Sequence, residues 1–281
     1  MLLALPIYGQ NRETDYLSHV LEKMNAVESV TYHCVKKAWE PGDKEPVYSV
    51  PTEIYEHVNP QDTAVGYSFL CASDKEFRQP LWVYDGTVFA YIEKEEKEVR
   101  IDDFTQKSPL PFRVIMPQAF GCMKSILEYV LNTQDSIVLS LKDEGKDYLM
   151  ELSIHTPYQV EFFGKACYMP QNPYIYDPTS IYKIWISKEN DMPYRYRREM
   201  QHSISEDICS DFVYNPSGKG KIVAEDYYPA DYVRRIKGEK SQKATVDMTG
   251  KKAPDWTLTG MKGQKVSLSG IKSKVILLQF T

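Results

Sequence analysis

No stretch of this 281-residue chain approaches the roughly 20 consecutive apolar residues that a helix needs to cross a bilayer, so no transmembrane segment is expected. An excess of basic residues is also missing. The 34 Lys and Arg stand against 39 Asp and Glu, a net charge of -5, which argues against nucleic acid as a partner, because phosphate recognition needs a basic surface. There is no fixed-period repeat and no low-complexity segment. The five cysteines, Cys34, Cys71, Cys122, Cys167 and Cys209, are odd in number and too widely spaced for a zinc motif or a Cys-x-x-Cys pair. They read as small buried thiols, with one or two disulfides left open in an oxidising compartment and no connectivity readable from the sequence. The histidines, His19, His33, His57, His155 and His202, show no metal-ligand spacing, and adjacent His33 and Cys34 point to opposite faces of a strand. Neither a metal nor a cofactor is expected. No Ser/His/Asp arrangement or glycosidase-like carboxylate pair appears. SGKGK, residues 217–221, lacks the spacing of a phosphate loop and reads as a hairpin tip.

What the sequence does contain is a sequence of alternating periods. Residues 1–10, MLLALPIYGQ, are apolar and end in small or polar residues, which reads as the remnant of a secretory signal and so as an exported, periplasmic protein; an apolar first strand is the alternative. Residues 11–27 carry Tyr16, Leu17, Val20, Leu21, Met24 and Val27 at the spacing of one helical face. The period then changes to two in residues 31–38, 48–58 and 64–72. In LWVYDGTVFAYI, residues 81–92, Asp85-Gly86 separates two β-rich runs and marks a tight hairpin. EKEEKE, residues 93–98, reads as a solvated turn or edge.

Pro117 precedes a second helical pattern, Phe120, Met123, Ile126, Leu127, Val130 and Leu131. Paired β-runs follow: 137–141 with 148–154, 160–168, 181–187 with 194–200, and 208–214. Helix, antiparallel strands, helix and more antiparallel strands predict an α+β domain over residues 11–232. Its single, strongly curved sheet forms a half-open barrel with the helices on its concave face. Residues 233–249 are polar, basic and turn-rich, and read as a linker, with a cap on the first domain by Val233 and Ile236 left open.

GKKAPDWTLTGMKGQKVSLSGIKSKVILLQFT, residues 250–281, places Gly250, Ala253-Pro254-Asp255-Trp256, Leu258, the Gly263 turn, Val266, Leu268, Ser269 and the run 274–280 in order. This resembles the first β elements of thioredoxin-like proteins of the TlpA and AhpC/TSA (redoxin) type. The resemblance implies a thiol-disulfide oxidoreductase whose Cys-x-x-Cys would lie just beyond the last strand, so this chain itself is expected to lack disulfide-reductase activity. A peroxiredoxin-type relative is a further alternative. Residues 11–228 more loosely resemble the LolA-like periplasmic lipoprotein carriers, on Tyr16 to Val27, Tyr84-Asp85-Gly86, and the run 182–187 followed by Met192-Pro193. The joint arrangement resembles exported proteins of Bacteroidetes-type bacteria.

The carrier resemblance implies a cavity for an apolar ligand or a lipoprotein acyl chain. Its expected lining is Tyr67, Phe69, Trp82 and Tyr84 from strands with Phe120, Met123 and Leu127 from the second helix, although a stripe at such spacing equally describes ordinary core. Two functions are therefore expected. One is the N-terminal part of an exported thiol-disulfide oxidoreductase whose half-barrel domain binds a partner protein, a periplasmic protein substrate or an apolar ligand. The other is a non-enzymatic lipid- or lipoprotein-binding module.

Overall fold

The computed structural model describes residues 8–105, 112–171, 177–238, 250–252, 254–260, 262–273 and 275–276, with backbone alone for residues 8–11. The chain divides into two compact units, Met1–Glu239 and Lys240–Thr281.

The first unit runs α1 (Tyr8–Asn25), β1 (Ser29–Trp39), β2 (Tyr48–Val58), β3 (Tyr67–Ala72), β4 (Pro80–Tyr84), β5 (Val88–Glu93), β6 (Glu98–Asp103), α2 (Ala119–Asn132), β7 (Ile137–Asp143), β8 (Asp147–Ile154), β9 (Val160–Phe162), β10 (Ala166–Tyr168), β11 (Ser180–Ser187), β12 (Met192–Glu199), β13 (Ile204–Tyr214) and β14 (Val233–Ile236). Twelve of these strands make one sheet in the order β14-β6-β5-β4-β3-β2-β1-β13-β12-β11-β8-β7, antiparallel throughout except for β14 on β6. Within this sheet the strands β2 to β6 with β14 and the strands β7, β8, β11 and β12 are joined by the pairing of β1 with β13.

Both helices follow the spacing read from the sequence. Leu17, Val20 and Met24 of α1 and Phe120, Met123, Ile126 and Leu127 of α2 are fully buried. They share one apolar cluster with side chains from every strand between β4 and β8, for example Tyr84, Ile54, Cys34, Tyr196, Ile184 and Met150. Eight strands at about 4.8 Å spacing are far wider than two helices, so a common core requires the sheet to curl around them.

Four local expectations give way to tertiary structure. Helix α1 begins at Tyr8, inside the stretch read as a leader. The run 160–168, read as one strand, is the separate hairpin β9–β10, folded at Gly164. Gly164 has φ +80°, and a Cβ there would stand 1.9 Å from the Val65 carbonyl oxygen, so only glycine fits. Residues 233–236, read as linker, pair with β6 as an edge strand. SGKGK is no hairpin tip: the Gly220 carbonyl accepts a hydrogen bond from the Tyr55 hydroxyl at 2.7 Å, and Lys219 Nζ lies 4.1 Å from the Phe77 ring centroid. These last two segments cover a second apolar cluster on the opposite face of the sheet, containing Tyr55, Leu70, Val83, Ala90, Ile92, Val99, Ile222 and Ala224. The six residues of β3 are consequently all buried.

In the second unit, β15 (Thr257–Thr259) and β16 (Lys265–Ser267) form an antiparallel hairpin followed by a 3-10 turn at Leu268–Gly270. Asp255 accepts hydrogen bonds from the Ser269 N–H at 3.0 Å and its hydroxyl at 2.8 Å. Of the terminal strand expected at 274–281, only Val275 and Ile276 fall among the described residues.

Candidate functional site

Strands β12 and β13 pair only from Arg195 opposite Ile208 to Glu199 opposite Ile204. On the far side of Arg195 they part, and two irregularities drive them apart. In β12 the register against β11 shifts between Trp185 and Ile186, at Pro193 and Tyr194; proline donates no ladder bond and belongs at such a bulge. In β13 the register against β1 shifts between Thr31 and His33, where Asp211 takes a left-handed φ of 56°. The result is a fissure in the sheet of about 700 Å³, walled by Met192 and Tyr194 on one side and Cys209, Ser210, Phe212 and Tyr214 on the other. The hairpin ends at Lys146, Asp147 and residues 187–190 close it.

Stacked aromatics lie between the fissure and the core. Phe212 stacks on Tyr32 at 5.0 Å and on Tyr214 at 5.7 Å, and Tyr214 meets Phe120 of α2 at 6.2 Å. Helix α1 is tied to the hairpin that forms one wall. Tyr16 donates to Asp191 at 3.0 Å, Lys23 donates to the Asn190 carbonyl at 2.6 Å, and the Tyr16 ring stands edge-on to Tyr148 at 4.8 Å. Burial alone would raise the Asp191 pKa, but hydrogen bonds from Tyr16 and Lys23 and the charges of Lys23 and His19 outweigh it and lower it.

Behind this stack, Glu56 of β2 is buried among apolar groups. It accepts the N–H of Phe120 at 3.0 Å and of Gly121 at 3.2 Å, and the Tyr32 hydroxyl donates to the same carboxylate. It therefore caps α2 from a distant strand, in place of Gln118, whose side chain makes no capping bond. Burial raises the Glu56 pKa to about 7 against the opposing pull of Tyr32, the two N–H groups and Lys36.

Two other clefts lie elsewhere. One of about 700 Å³ has walls including Phe112, His155, Tyr158, Tyr168 and Met169, beside Asp135, which accepts the hydroxyls of Tyr129 and Tyr168 at 2.6 Å each. The other, about 350 Å³, is a charged notch on β6 and β14 where Arg235 pairs with Glu98 and Lys237 with Asp102. Among the described residues no three His, Cys, Asp or Glu side chains converge to hold a metal ion.

The seven lining residues expected from the sequence are brought together, but as core. Tyr67, Phe69, Tyr84, Phe120, Met123 and Leu127 are buried in the main cluster, and half-buried Trp82 stacks on Tyr91 at 6.5 Å. None of the seven lines these three clefts. Tyr84 is anchored by donating to Asp62 at 2.6 Å and accepting from Arg113 at 2.8 Å. Phe120 lies behind the fissure, its ring centroid 6.2 Å from that of the lining residue Tyr214. The residues that sequence reasoning missed, Met192, Phe212, Tyr214 and Glu56, left faint signals: a proline inside a strand run, and a carboxylate on the apolar face shared with Ile54.

Fold and site thus define an α+β protein with one curled antiparallel sheet, two packed helices and a fissure in the sheet. No protein-family model matches the sequence, and no curated protein matches it in sequence. Among solved structures it is similar to LprF from Mycobacterium bovis (10% identity, 75% of this chain and 98% of that one, TM-score 0.38). It is also similar to the Mycobacterium tuberculosis lipoprotein LppX (8% identity, 75% and 99%, TM-score 0.37) and to a LolA superfamily protein from Nitrosomonas europaea (9% identity, 77% and 99%, TM-score 0.28). Likeness at these scores bears on no residue of the site. No described helix is long and apolar enough to cross a membrane.

Proposed function

We propose that the first unit is a non-enzymatic binding module for an apolar ligand, an acyl chain of a lipid or lipoprotein, in an exported compartment. The observation that carries this reading is the fissure between β12 and β13, whose wall includes the stacked rings of Phe212 and Tyr214. Each methylene of a chain that packs against these rings and Met192 would contribute about 0.8 kcal/mol. The expected lining residues enter the proposal through Phe120, which backs the Tyr214 ring.

Native mass spectrometry of the chain purified from a bacterial periplasm tests this, together with titration by a fluorescent fatty acid. A co-purifying acyl species and saturable binding are expected. Ser210→Trp, which plugs the fissure from an exposed position, is expected to weaken binding at least tenfold. Unchanged binding in that variant overturns the site.

A second reading, the docking portion of a thiol-disulfide oxidoreductase, is favoured by one observation in the second unit. The bonds from Ser269 to Asp255 join the Ala-Pro-Asp segment to the Val-x-Leu-Ser segment on which the thioredoxin-like resemblance rests. A clean ligand-free mass with no fatty-acid binding would favour it.

A further inference from the structure

The register of the central seam sets Cys34 of β1 directly opposite Cys209 of β13. Residues so paired on antiparallel strands have Cα atoms about 4.5–5.5 Å apart, inside the span of about 4.4–6.8 Å that a disulfide bridges. Both side chains face the main apolar cluster as free, buried thiols. The other three cysteines lie on other elements. Cys71 is separated from Cys34 by the whole of β2, hence by about 9–10 Å, beyond the reach of a disulfide. Cys122 lies on α2, and Cys167 lies on the separate β9–β10 hairpin with its thiol toward the Lys165 carbonyl.

We propose that Cys34 and Cys209 form a reversible cross-strand disulfide, which locks the seam between the two halves of the sheet. Cys209 is the first residue beyond the last β12–β13 pairing and lines the fissure, whereas Cys34 is wholly enclosed, so Cys209 is the thiol that an oxidant meets. The oxidant is a small disulfide such as oxidised glutathione. The Cys209 thiol loses its proton to solvent and its sulfur attacks one sulfur of the oxidant, whose S–S bond breaks and releases one thiol after protonation. The Cys34 thiol then loses its proton and its sulfur displaces the second small thiol from Cys209. One external disulfide is reduced to two thiols, and two protein thiols are oxidised to one disulfide. Burial pushes the Cys209 thiol well above its ordinary range, so the exchange is slow in the folded state and fastest while the seam is still forming.

The test is to refold the full chain in a glutathione redox buffer and block free thiols with N-ethylmaleimide in denaturant. The non-reduced digest is then mapped by mass spectrometry. A peptide containing Cys34 joined to one containing Cys209 is expected, with the other three cysteines alkylated. Five alkylated cysteines, or a different partner for either residue, overturn the proposal. Denaturation supplies a second measurement. The wild-type midpoint is expected to fall when reductant is added and that of Cys209→Ala to be insensitive to it; a wild type indifferent to reductant would count against a locking role. Neither measurement uses an acyl ligand, so each stands or fails independently of the binding function.

Discussion

The main-chain N–H of Phe120, at the start of α2, donates to Oε1 of Glu56 on β2, 3.0 Å away and 64 residues earlier in the chain. This bond fixes the end of the helix that stands behind the fissure. Because burial raises the Glu56 pKa from 4.5 to about 7, the folded state binds more protons than the unfolded state across that interval. The stability from the protonated form is complete below about pH 4.5 and is lost as pH rises through 7, roughly 3 kcal/mol in all. Chemical denaturation between pH 4.5 and 8 should show this decline in the wild type, and Glu56→Gln should abolish it. An equal slope in the variant would refute the assignment.

Asp191 has the opposite sign. Its lowered pKa means that the stability it supplies to the docking of α1 is present above about pH 4 and lost as pH falls through its folded value. Amide exchange in α1 is expected to accelerate below that pH and, at neutral pH, in Asp191→Asn, while exchange in β2 and β3 stays unchanged.

Arg198 clips the β9–β10 hairpin to the main sheet. Its guanidinium donates to both oxygens of Glu161, at 2.6 and 2.8 Å, and to the Ser180 hydroxyl, and all three residues are buried. Removing one member of a buried pair strands the other charge, so Arg198→Met should cost about 3–5 kcal/mol in urea unfolding. The double variant Arg198→Met with Glu161→Leu should recover a large part of that loss. A double variant as unstable as the single one would show that the pair contributes by shape and not by charge.

Gly164→Ala should be destabilising by about 1–3 kcal/mol, because the left-handed backbone and the Val65 carbonyl both reject a Cβ. A thermal midpoint within about one degree of the wild type would mean that the β9–β10 turn relaxes freely.

The two helices and most hairpins were legible because each is a local period: the 3.6-residue stripe of α2, the Asp85-Gly86 turn between β4 and β5. The fissure was not, because Met192 and Phe212 become neighbours of a gap only through the register of β12 and β13 against other strands. Glu56 looked like one polar residue in a strand, since its partners Tyr32, Phe120 and Gly121 come from two other elements. The outer core escaped notice because Ile222 and Ala224 are small apolar islands in a polar segment whose burial depends on the face they cover. The placement of Cys34 opposite Cys209 likewise waited on strand order.

That strand order also governs how the chain can be made. Strand β1 leaves the ribosome early and finds β2 at once, but its other edge is completed only by β13, whose cysteine lies about 175 residues later. At ordinary rates of synthesis this is an interval on the order of ten seconds or more, during which β1 presents an open row of unpaired N–H and C=O groups. A nascent chain of this topology therefore has a defined window of vulnerability to strand capture, and a chaperone that shields the edge of β1 would be needed during synthesis and dispensable once β13 has arrived.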